Sequence, residues 1–387
     1  MTQRIPFNKP FIGGKELHYM AQAVASGKIA SEGHFTQSCA RLLEAEFGIP
    51  KVLMTPSCTA ALEIAAMLCD LRPGDEVILP SYTFVSTANA VARLGARPVF
   101  VDIRRDTLNI DEELIETAIT ARTKAIFPVH YAGVGCEMDR IMQIAAQHRL
   151  VVVEDAAQGV NAFYKGRPLG SIGHLAAYSF HETKNYVCGE GGALCINAPQ
   201  FVERAEILRE KGTNRSRFLR GMVDKYTWVD VGSSYVPSEI NCAFLYAQLE
   251  LLESIGQRRR NVFEVFRRHL SRLQRLGLAQ LPNIPAHCQS NHHMFYLLLP
   301  DSEKRDALIS HLRQHGIAAP FHYVPLHTSP VGARYGYRAG DLPITEELSG
   351  RLVRLPLYCD ITEAEQMEIV SRIESFASNM VERRAAA

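Results

Sequence analysis

The chain has 387 residues, more than one hydrophobic core usually supports, so its length predicts two domains. Hydrophobic residues make up 47% and charged residues 21% of the chain, the balance of a globular protein, and the formal net charge is +1. This charge favours neither nucleic-acid binding nor binding to a membrane surface. No apolar run is long enough to span a bilayer, and the first eight residues lack the apolar core of a signal peptide. We therefore expect a cytoplasmic protein.

The nine cysteines predict neither a metal site nor a redox pair, because no two of them are spaced as Cys-x-x-Cys. Several lie in apolar stretches, among them Cys69, Cys195 and Cys242. We interpret them as small buried hydrophobic residues in a reducing compartment, and we expect no bound metal.

Two amphipathic helices, over 15–26 and 35–47, are predicted at the start of the chain. Short β-rich runs then alternate with helical segments, a pattern typical of parallel strands joined by helical crossovers. The runs are continuously apolar, as in strands that are covered on both faces. The predicted strands are 52–54, 77–79, 98–101, 125–127 and 151–153, followed by 175–179 and 193–196.

A long helix over 239–274 is predicted to join the two domains, because this stretch is helical throughout and increasingly charged. A smaller α/β unit follows it. Its predicted elements are a strand at 293–299 and helices at 303–315 and 363–376. We therefore expect a large domain over 1–245, and a linker helix with a smaller domain over 246–387.

Lys184 lies beyond an apolar strand and shortly before a Gly-Glu-Gly-Gly turn, and Asp155 ends the most apolar strand of the chain. A lysine with a lowered pKa in a desolvated site can attack a carbonyl, and an acid can keep a pyridine nitrogen protonated. Ligands of open α/β sheets bind beyond the carboxyl ends of the strands. The pair therefore indicates pyridoxal phosphate. For each residue taken alone the alternative is an ordinary role, a surface lysine for Lys184 and a helix cap for Asp155.

Other residues complete the pattern of such a site. Ser57 and Thr59 stand at a predicted helix start, where backbone N–H groups bind phosphate well, although such residues are usually only caps. Phe84 is a candidate to stack on the pyridine ring, with core packing as the alternative. Gln158 is a candidate to contact the ring oxygen. The order along the chain is that of a pyridoxal phosphate site: phosphate cradle, Phe84, Asp155, Gln158, Ser179 and Lys184.

These residues resemble the sugar-nucleotide aminotransferases of the DegT/DnrJ/EryC1/StrS type over nearly the whole chain. The motifs that carry the resemblance are 56–62, 80–84, 128–133, 154–158, 179–185, 190–192 and 322–327. The resemblance implies an α/β fold, the aspartate aminotransferase-like fold type I of pyridoxal-phosphate-dependent transferases. That fold has a large, mainly parallel-sheet domain and a smaller C-terminal α/β domain.

The resemblance also implies roles for the matched residues. Lys184 is the catalytic lysine that forms a Schiff base with the cofactor and shuttles protons, and Asp155 is the catalytic partner of the pyridine nitrogen. The implied cofactor-binding residues are Ser57, Thr59, Ala60, Phe84, Asp155, Gln158, Ser179, Lys184 and Ser234. Ser234 stands where many members place an asparagine on the partner subunit's phosphate, so a homodimer is implied.

The implied reaction moves the amino group of L-glutamate, through the pyridoxamine phosphate form of the cofactor, to C4 of a nucleotide-linked 4-keto-6-deoxyhexose. The segments 210–216, 224–228 and 232–235 resemble members that produce dTDP-4-amino-4,6-dideoxygalactose for enterobacterial common antigen and O-antigen lipopolysaccharide. The residues alone leave the nucleotide and the C4 stereochemistry open.

Candidate substrate residues follow from the same motifs. The histidines are His130, His322 and His327, each with a packed or surface histidine as the alternative. The basic residues are Lys211, Arg215 and Lys225, which we expect near the nucleotide diphosphate, with a solvated loop as the alternative.

Three other activities compete with this reading. Family members that act as dehydratases have a histidine in place of the lysine, and Lys184 disfavours that chemistry. A module that only senses the cofactor or a nucleotide sugar is disfavoured by the intact pair of Lys184 and Asp155. A lyase or desulfurase of the same fold is disfavoured by the motif at 322–327.

Overall fold

The structure is a computed structural model that describes residues 4–386, so the first three residues of the segment compared above with a signal peptide lie outside it. The α-helices are α1 (Glu16–Ala25), α2 (His34–Phe47), α3 (Cys58–Leu68), α4 (Val85–Ala92), α5 (Glu112–Ile115), α6 (Met138–His148), α7 (Val202–Arg209), α8 (Arg215–Leu219), α9 (Glu239–Leu249), α10 (Leu252–Arg275), α11 (Ser302–Gln314), α12 (Pro330–Arg334), α13 (Pro343–Arg351) and α14 (Glu363–Ala386). Short 3₁₀ helices are Glu116–Ala118, Tyr131–Gly133, Pro199–Phe201 and Leu326–Thr328.

A seven-stranded sheet forms the centre of the larger part of the molecule. The strands are β1 (Lys51–Thr55), β2 (Glu76–Pro80), β3 (Arg97–Val101), β4 (Thr123–Ile126), β5 (Val151–Asp155), β6 (Phe163–Tyr164), β7 (Arg167–Pro168), β8 (Leu175–Ser179), β9 (Gly192–Ile196), β10 (Cys288–Gln289), β11 (Phe295–Leu298) and β12 (Leu352–Leu355). The order in the large sheet is β1-β9-β8-β5-β4-β2-β3, and β9 alone runs against the other six strands.

Alternate side chains of this sheet pack on opposite faces. Val77 and Leu79 contact the core around α3, whereas Ile78 between them contacts the core around α6. Both faces are therefore covered, which explains why the strands read as continuous apolar runs in the sequence. The predicted α/β fold with a mainly parallel sheet is confirmed.

The hairpin of β8 and β9 presents Lys184 in the loop that joins its strands. Ser179 and Gly192 form the closing pair of the hairpin. Gly192 also touches the start of α3, since a Cβ atom there would lie 2.3 Å from the carbonyl carbon of Ser57. Glycine is therefore required at this position, and it brings the lysine loop against the first turn of α3.

The helix predicted over 239–274 is two helices in the structure, α9 and α10, and this part of the prediction is wrong. Leu251 breaks the helix with φ −110° and ψ 19°, while the carboxylate of Glu250 binds Lys15 and Tyr19. The break lets α9 bury its residues in a core shared with α2 and β1. It also turns α10 towards a separate core that contains β11 and β12.

The second core lies between α10, α11, α14 and the antiparallel pair of β11 and β12. Ile5 belongs to this core and forms a parallel bridge with Ile317, although it stands near the start of the chain. Conversely, a residue from late in the chain joins the larger part of the molecule, because Cys288 of β10 pairs with Tyr164 of β6. The division into 1–245 and 246–387 stays a prediction.

None of the helices within residues 4–386 is long and apolar enough to cross a membrane. Residues 4–386 also contain no group of three or more histidine, cysteine, aspartate or glutamate side chains placed to hold a metal ion.

Candidate active site

A cavity of about 560 Å³ opens where the carboxyl ends of β5 and β8 face β12 of the smaller unit. Most of the predicted site residues line it, although they come from distant parts of the sequence. These residues are Ser57, Thr59, Phe84, Asp155, Gln158, Ser179, Lys184 and His322.

Lys184 is half-buried at the wall of this cavity, and its backbone N–H donates to the carbonyl of His181 over 2.9 Å. Burial lowers the pKa of its ammonium group, and the positive charge of Arg354 lowers it further, while Asp155 opposes the shift. A lowered pKa raises the fraction of neutral amine near pH 7, which is the form that attacks a carbonyl.

Asp155, at the end of β5, has both carboxylate oxygens fixed by hydrogen bonds. Oδ2 accepts a bond of 2.6 Å from the hydroxyl of Thr87 on α4, and Oδ1 accepts one of 3.1 Å from the backbone N–H of Ala157. The aspartate therefore does cap the following turn, as the alternative interpretation held. It also faces the cavity, so a group bound there meets an oriented carboxylate.

The start of α3 has the geometry of an anion site. The Ser57 side chain accepts a hydrogen bond of 3.1 Å from the backbone N–H of Ala60, which is thereby occupied. The N–H groups of Cys58 and Thr59 precede the first intrahelical bond and point out of the helix end. The Thr59 hydroxyl lies 2.7 Å from that of Ser86. Ala60 itself is buried and does not line the cavity.

Phe84, Gln158 and Ser179 occupy the remaining walls. The ring of Phe84 is exposed, with its centroid 6.3 Å from that of Tyr323. Gln158 accepts a hydrogen bond of 2.7 Å from the backbone N–H of Ala132 through Oε1, so its amide nitrogen is the group nearer Tyr323, at 3.3 Å from that hydroxyl. Ser179 ends β8 beside the lysine loop.

His130 does not belong to the substrate site, contrary to the expectation above. Its side chain has no exposed surface, its Nε2 lies 2.8 Å from Oε2 of Glu154, and its Nδ1 accepts a bond of 3.1 Å from the N–H of Cys136. Both ring nitrogens are thus occupied inside the core, and His130 is the packed histidine of the alternative interpretation.

His327 is a second correction for the same reason. It is fully buried between the hydroxyl of Ser81, 2.7 Å from Nδ1, and the carboxylate of Glu346, 2.9 Å from Nε2. His322, by contrast, lines the cavity, and its Nδ1 lies 3.0 Å from the hydroxyl of Tyr131. Burial lowers the pKa of His322 well below its usual value, so its ring is neutral at pH 7.

The predicted residues of the 211–234 segment do not line the cavity of their own chain. Lys211 and Arg215 lie 3.9 Å and 3.3 Å from the carboxylate of Glu210. Ser234 is exposed and forms an isolated backbone bridge with Glu210, and Lys225 is exposed as well. Their roles stay predictions, with Ser234 expected to act on the partner subunit's site.

Sequence reasoning missed several residues that line the cavity, notably Arg354, His293 and Tyr323. It also missed Thr87, which orients Asp155. The sequence does contain one signal, because Arg354 is a charged residue between the apolar residues of a short strand, where an unpaired charge is rarely tolerated. Thr87 has no such signal, since nothing in its neighbours shows what its hydroxyl meets.

A sequence profile for the DegT/DnrJ/EryC1/StrS aminotransferase family matches residues 10–374. The chain belongs to this family. The chain is also similar to the uncharacterized protein MJ1066 of Methanocaldococcus jannaschii. The two are 34% identical over 381 residues, which cover 97% of this chain and 98% of that protein.

Solved structures agree with the family assignment. Spr1654 of Streptococcus pneumoniae, assigned as a sugar aminotransferase, superposes in its apo form with a TM-score of 0.91 at 27% identity, covering 98% of this chain and 99% of that one. Its pyridoxal phosphate form gives 0.89 at 27%, with 97% and 99% covered. DesV of S. venezuelae gives 0.87 at 32%, with 97% and 99% covered. The predicted family, fold type and cofactor are confirmed: the enzyme is a sugar aminotransferase that depends on pyridoxal phosphate.

The geometry fits this cofactor. Lys184 offers an amine of lowered pKa for the aldehyde, and the oriented carboxylate of Asp155 suits a protonated pyridine nitrogen. The N–H groups at the start of α3, with the hydroxyl of Thr59, suit the phosphate. The exposed ring of Phe84 offers a surface on which the pyridine ring can stack.

Proposed function

We propose that this aminotransferase moves the amino group of L-glutamate to C4 of a nucleotide-linked 4-keto-6-deoxyhexose. The substrate we favour is dTDP-4-dehydro-6-deoxy-D-glucose, and the product is dTDP-4-amino-4,6-dideoxy-D-galactose. The amine of Lys184 beside the oriented carboxylate of Asp155 is the observation that carries the transamination. The choice of sugar is supported by the resemblance of the segments 210–216, 224–228 and 232–235 to enzymes that make this product.

Each of three cavity and supporting residues has its own role in the proposed reaction. Bound pyridoxal phosphate supplies an electron sink that makes the α-proton of the donor acidic. Lys184 Nζ would hold the bound cofactor until the donor arrives, and as a free amine it would then take the α-proton of the donor and return it to the cofactor carbon. Asp155 would keep the proton on the pyridine nitrogen, and Thr87 would orient that carboxylate. The first product leaves before the sugar binds, so ping-pong kinetics are expected.

The same proposal includes a homodimer with Ser234 of each chain near the partner's phosphate site. It is supported by an exposed apolar segment on the loop before Ser234. This segment contains Leu219, Met222, Tyr226, Trp228 and Val231, each more than half exposed in the single chain. Several exposed large apolar residues within one short segment are typical of an interface.

The test is an assay of purified holoenzyme with L-glutamate and dTDP-4-dehydro-6-deoxy-D-glucose, with the product resolved by NMR. An axial amine at C4 supports the proposal. The Lys184→Met variant is the negative control and should give no product. An equatorial amine would keep the mechanism and replace the galacto product by its gluco epimer. No product with bound cofactor would refute the chosen sugar and direct the assay to UDP- and GDP-linked ketosugars and to 3-keto sugars.

A further inference from the structure

Asn185, the residue directly after Lys184, joins the lysine loop to a segment from late in the chain. Its side chain is buried. The amide nitrogen Nδ2 donates to the backbone carbonyl of Asn291 over 2.9 Å, and the amide oxygen Oδ1 lies 2.8 Å from Nδ1 of His293. Both partners belong to the 291–293 segment, which lies between β10 and β11. Asn185 therefore ties the lysine loop to residues 106 and 108 positions further along the chain.

The same segment also holds a second loop of the cavity. The side chain of Asn291 is buried, and its Nδ2 donates to the backbone carbonyls of Gln158 and Val160 over 2.9 Å and 2.7 Å. Gln158 lines the cavity in the loop after β5. Gly133 leaves room for the Asn291 amide, since a Cβ atom there would lie 2.0 Å from its Oδ1. One short segment thus fixes the loops that carry Gln158 and Lys184.

The 291–293 segment is itself anchored on the helix behind it. Arg259 of α10 is buried, and its guanidinium donates to the backbone carbonyls of His292 over 3.2 Å and of His293 over 2.6 Å. The ring of His292 packs edge-on against that of Phe263 on the same helix, with 4.9 Å between the ring centroids. Hydrogen bonds from a charged donor are stronger than those between neutral groups. The lysine loop is therefore supported by the smaller core, to which Phe263 belongs.

The hydrogen bond to Asn185 also determines which nitrogen of His293 carries a hydrogen. Because Nδ2 of Asn185 donates to Asn291, the group that faces His293 is Oδ1, which can only accept. Burial, and after it the charge of Lys184, lowers the pKa of His293 well below its usual value, so the ring is neutral at pH 7. The single ring hydrogen is therefore on Nδ1. That side of the ring faces the lysine loop, and the ring also lines the cavity.

We propose that Asn185 and His293 are positioning residues for the amine of Lys184, because their hydrogen bond sets the direction in which the lysine side chain leaves its loop and enters the cavity. Neither residue has to touch the cofactor for this role. A displacement of about 1 Å at a reacting group costs about 100-fold in rate, so the support of the loop has a large effect on the chemistry. The inference deepens the proposed function and rests on the role given there to Lys184. It requires nothing of the sugar.

The experiment follows the capture of the cofactor by the full-length apoenzyme, without donor or sugar. Pyridoxal phosphate is added at saturating concentration, and borohydride trapping at successive times gives the rate at which Lys184 bonds to it. Pyridoxamine phosphate, which has an amine in place of the aldehyde and cannot bond to lysine, is titrated in parallel by calorimetry. Asn185→Ala should slow the bonding by about 10- to 100-fold and leave the Kd of pyridoxamine phosphate within about twofold of the wild type.

Two substitutions of His293 separate the contributions of its two nitrogens. The amide nitrogen of asparagine stands close to the place of Nδ1 in histidine, and that of glutamine stands close to the place of Nε2. His293→Asn keeps the donor that faces Asn185, so its bonding rate should stay within about threefold of the wild type. His293→Gln loses this donor and should be as slow as Asn185→Ala. The two variants carry the test if Asn185→Ala gives no folded protein.

Asn197→Ala is the matched control. The side-chain amide of Asn197 also joins two points of the backbone, because its Nδ2 donates to the carbonyls of Gly170 over 3.0 Å and of Gly173 over 2.8 Å. Asn197 does not line the cavity. Its replacement should lower the free energy of unfolding and leave the bonding rate of Lys184 unchanged, because it removes comparable hydrogen bonds at a distance from the lysine loop.

Several results would overturn the proposal. A normal bonding rate in Asn185→Ala, or equal slowing in Asn197→Ala, would show that Asn185 contributes stability and not position. A raised Kd of pyridoxamine phosphate with a normal bonding rate would make Asn185 part of cofactor binding. Fast bonding by His293→Gln and slow bonding by His293→Asn would assign the role to Nε2 instead. In each case the wild type still bonds at Lys184, whereas wild-type protein that forms no such bond would refute the proposed function and this inference with it.

Discussion

The amine of Lys184 is the group on which the chemistry of this cavity depends. Lys184→Ala should lower transamination by more than about 1,000-fold, because the variant loses both the covalent hold on the cofactor and the proton shuttle. Borohydride reduction followed by mass spectrometry should find the cofactor attached to the wild type but not to the variant. Lys124→Ala, at an exposed lysine of β4, is the control. Near-normal turnover by Lys184→Ala would refute the assignment.

Asp155 and Thr87 form a pair whose members should have unequal effects. Asp155→Asn should reduce kcat by about 100-fold or more, since an amide cannot hold the charge that keeps the pyridine nitrogen protonated. Thr87→Val leaves the carboxylate in place and removes one hydrogen bond of 2.6 Å, so a loss of about tenfold or less is expected. Steady-state kinetics with saturating donor would measure both. Equal losses would show that orientation, rather than charge, is the contribution of Asp155.

Glu154, next to Asp155 but pointing into the core, should contribute stability that depends on pH. Burial alone would raise the pKa of its carboxyl group, but hydrogen bonds from His130 and from the backbone of Gly170 and Gly173 outweigh burial and lower it. The depressed pKa means that this stability is present above the ordinary value of 4.5 and is lost as the pH falls through the folded-state pKa.

Glu154→Gln should therefore lower the free energy of unfolding by about 3 kcal/mol at pH 7, as expected when one partner of a buried pair is removed. The gap to the wild type should shrink at pH values below 4.5. Urea unfolding of both proteins across this pH range measures it. Glu46→Gln, at an exposed glutamate, should show no gap. A gap that is constant with pH would contradict the linkage.

At the scale of elements, α2 is capped by a residue from a distant helix. Its own N-cap, Gly33, has no side chain to offer. The carboxylate of Glu239 on α9 instead accepts hydrogen bonds from the backbone N–H groups of Gly33, at 3.0 Å, and of Phe35 and Thr36, and from the Thr36 hydroxyl at 2.6 Å. Four donors therefore depend on one buried carboxylate.

Glu239→Gln should cost about 2 kcal/mol of stability, because an amide offers one acceptor oxygen where the helix start needs two and no longer complements the helix dipole. Chemical unfolding at pH 7 would measure it. The exposed Glu253 on α10 supplies the matched substitution, Glu253→Gln, which should be neutral. An equal effect in the two variants would mean that the cap does not stabilise α2.

Sequence patterns predicted the strands well and the long-range side-chain contacts poorly. The strands of the large sheet are buried on both faces, so their apolar runs are visible in the chain itself. The helix break at Leu251 contains neither glycine nor proline, so the sequence does not indicate it. The pairing of Glu239 with α2 joins segments that are far apart in sequence, so no local pattern predicts it. His130 and His327 were assigned to the substrate because a histidine's type does not show that Glu154 and Glu346 already occupy its nitrogens.

At the scale of the whole molecule, the exposed apolar segment around Trp228 predicts self-association. Trp228 is the only tryptophan of the chain and is 75% exposed, so its fluorescence reports on this segment alone. Wild-type protein should sediment as a dimer, and Leu219→Asp should sediment as a monomer with red-shifted emission, because a carboxylate is not tolerated in an apolar contact. Leu276→Asp, at an exposed leucine that ends α10, should stay dimeric. Monomeric wild-type protein at micromolar concentration would contradict the interface.

The bridge between Ile5 and Ile317 has a consequence for how the protein is made. The smaller core is completed by Ile5, which is synthesised long before Ile317 and the rest of the groove that receives it. During translation Ile5 has no place to be buried, and contacts of such long sequence separation form slowly. Closure of the smaller core therefore has to wait until the segment around Ile317 has been synthesised, and an N-terminal fusion that holds Ile5 away from this segment should delay maturation of the enzyme.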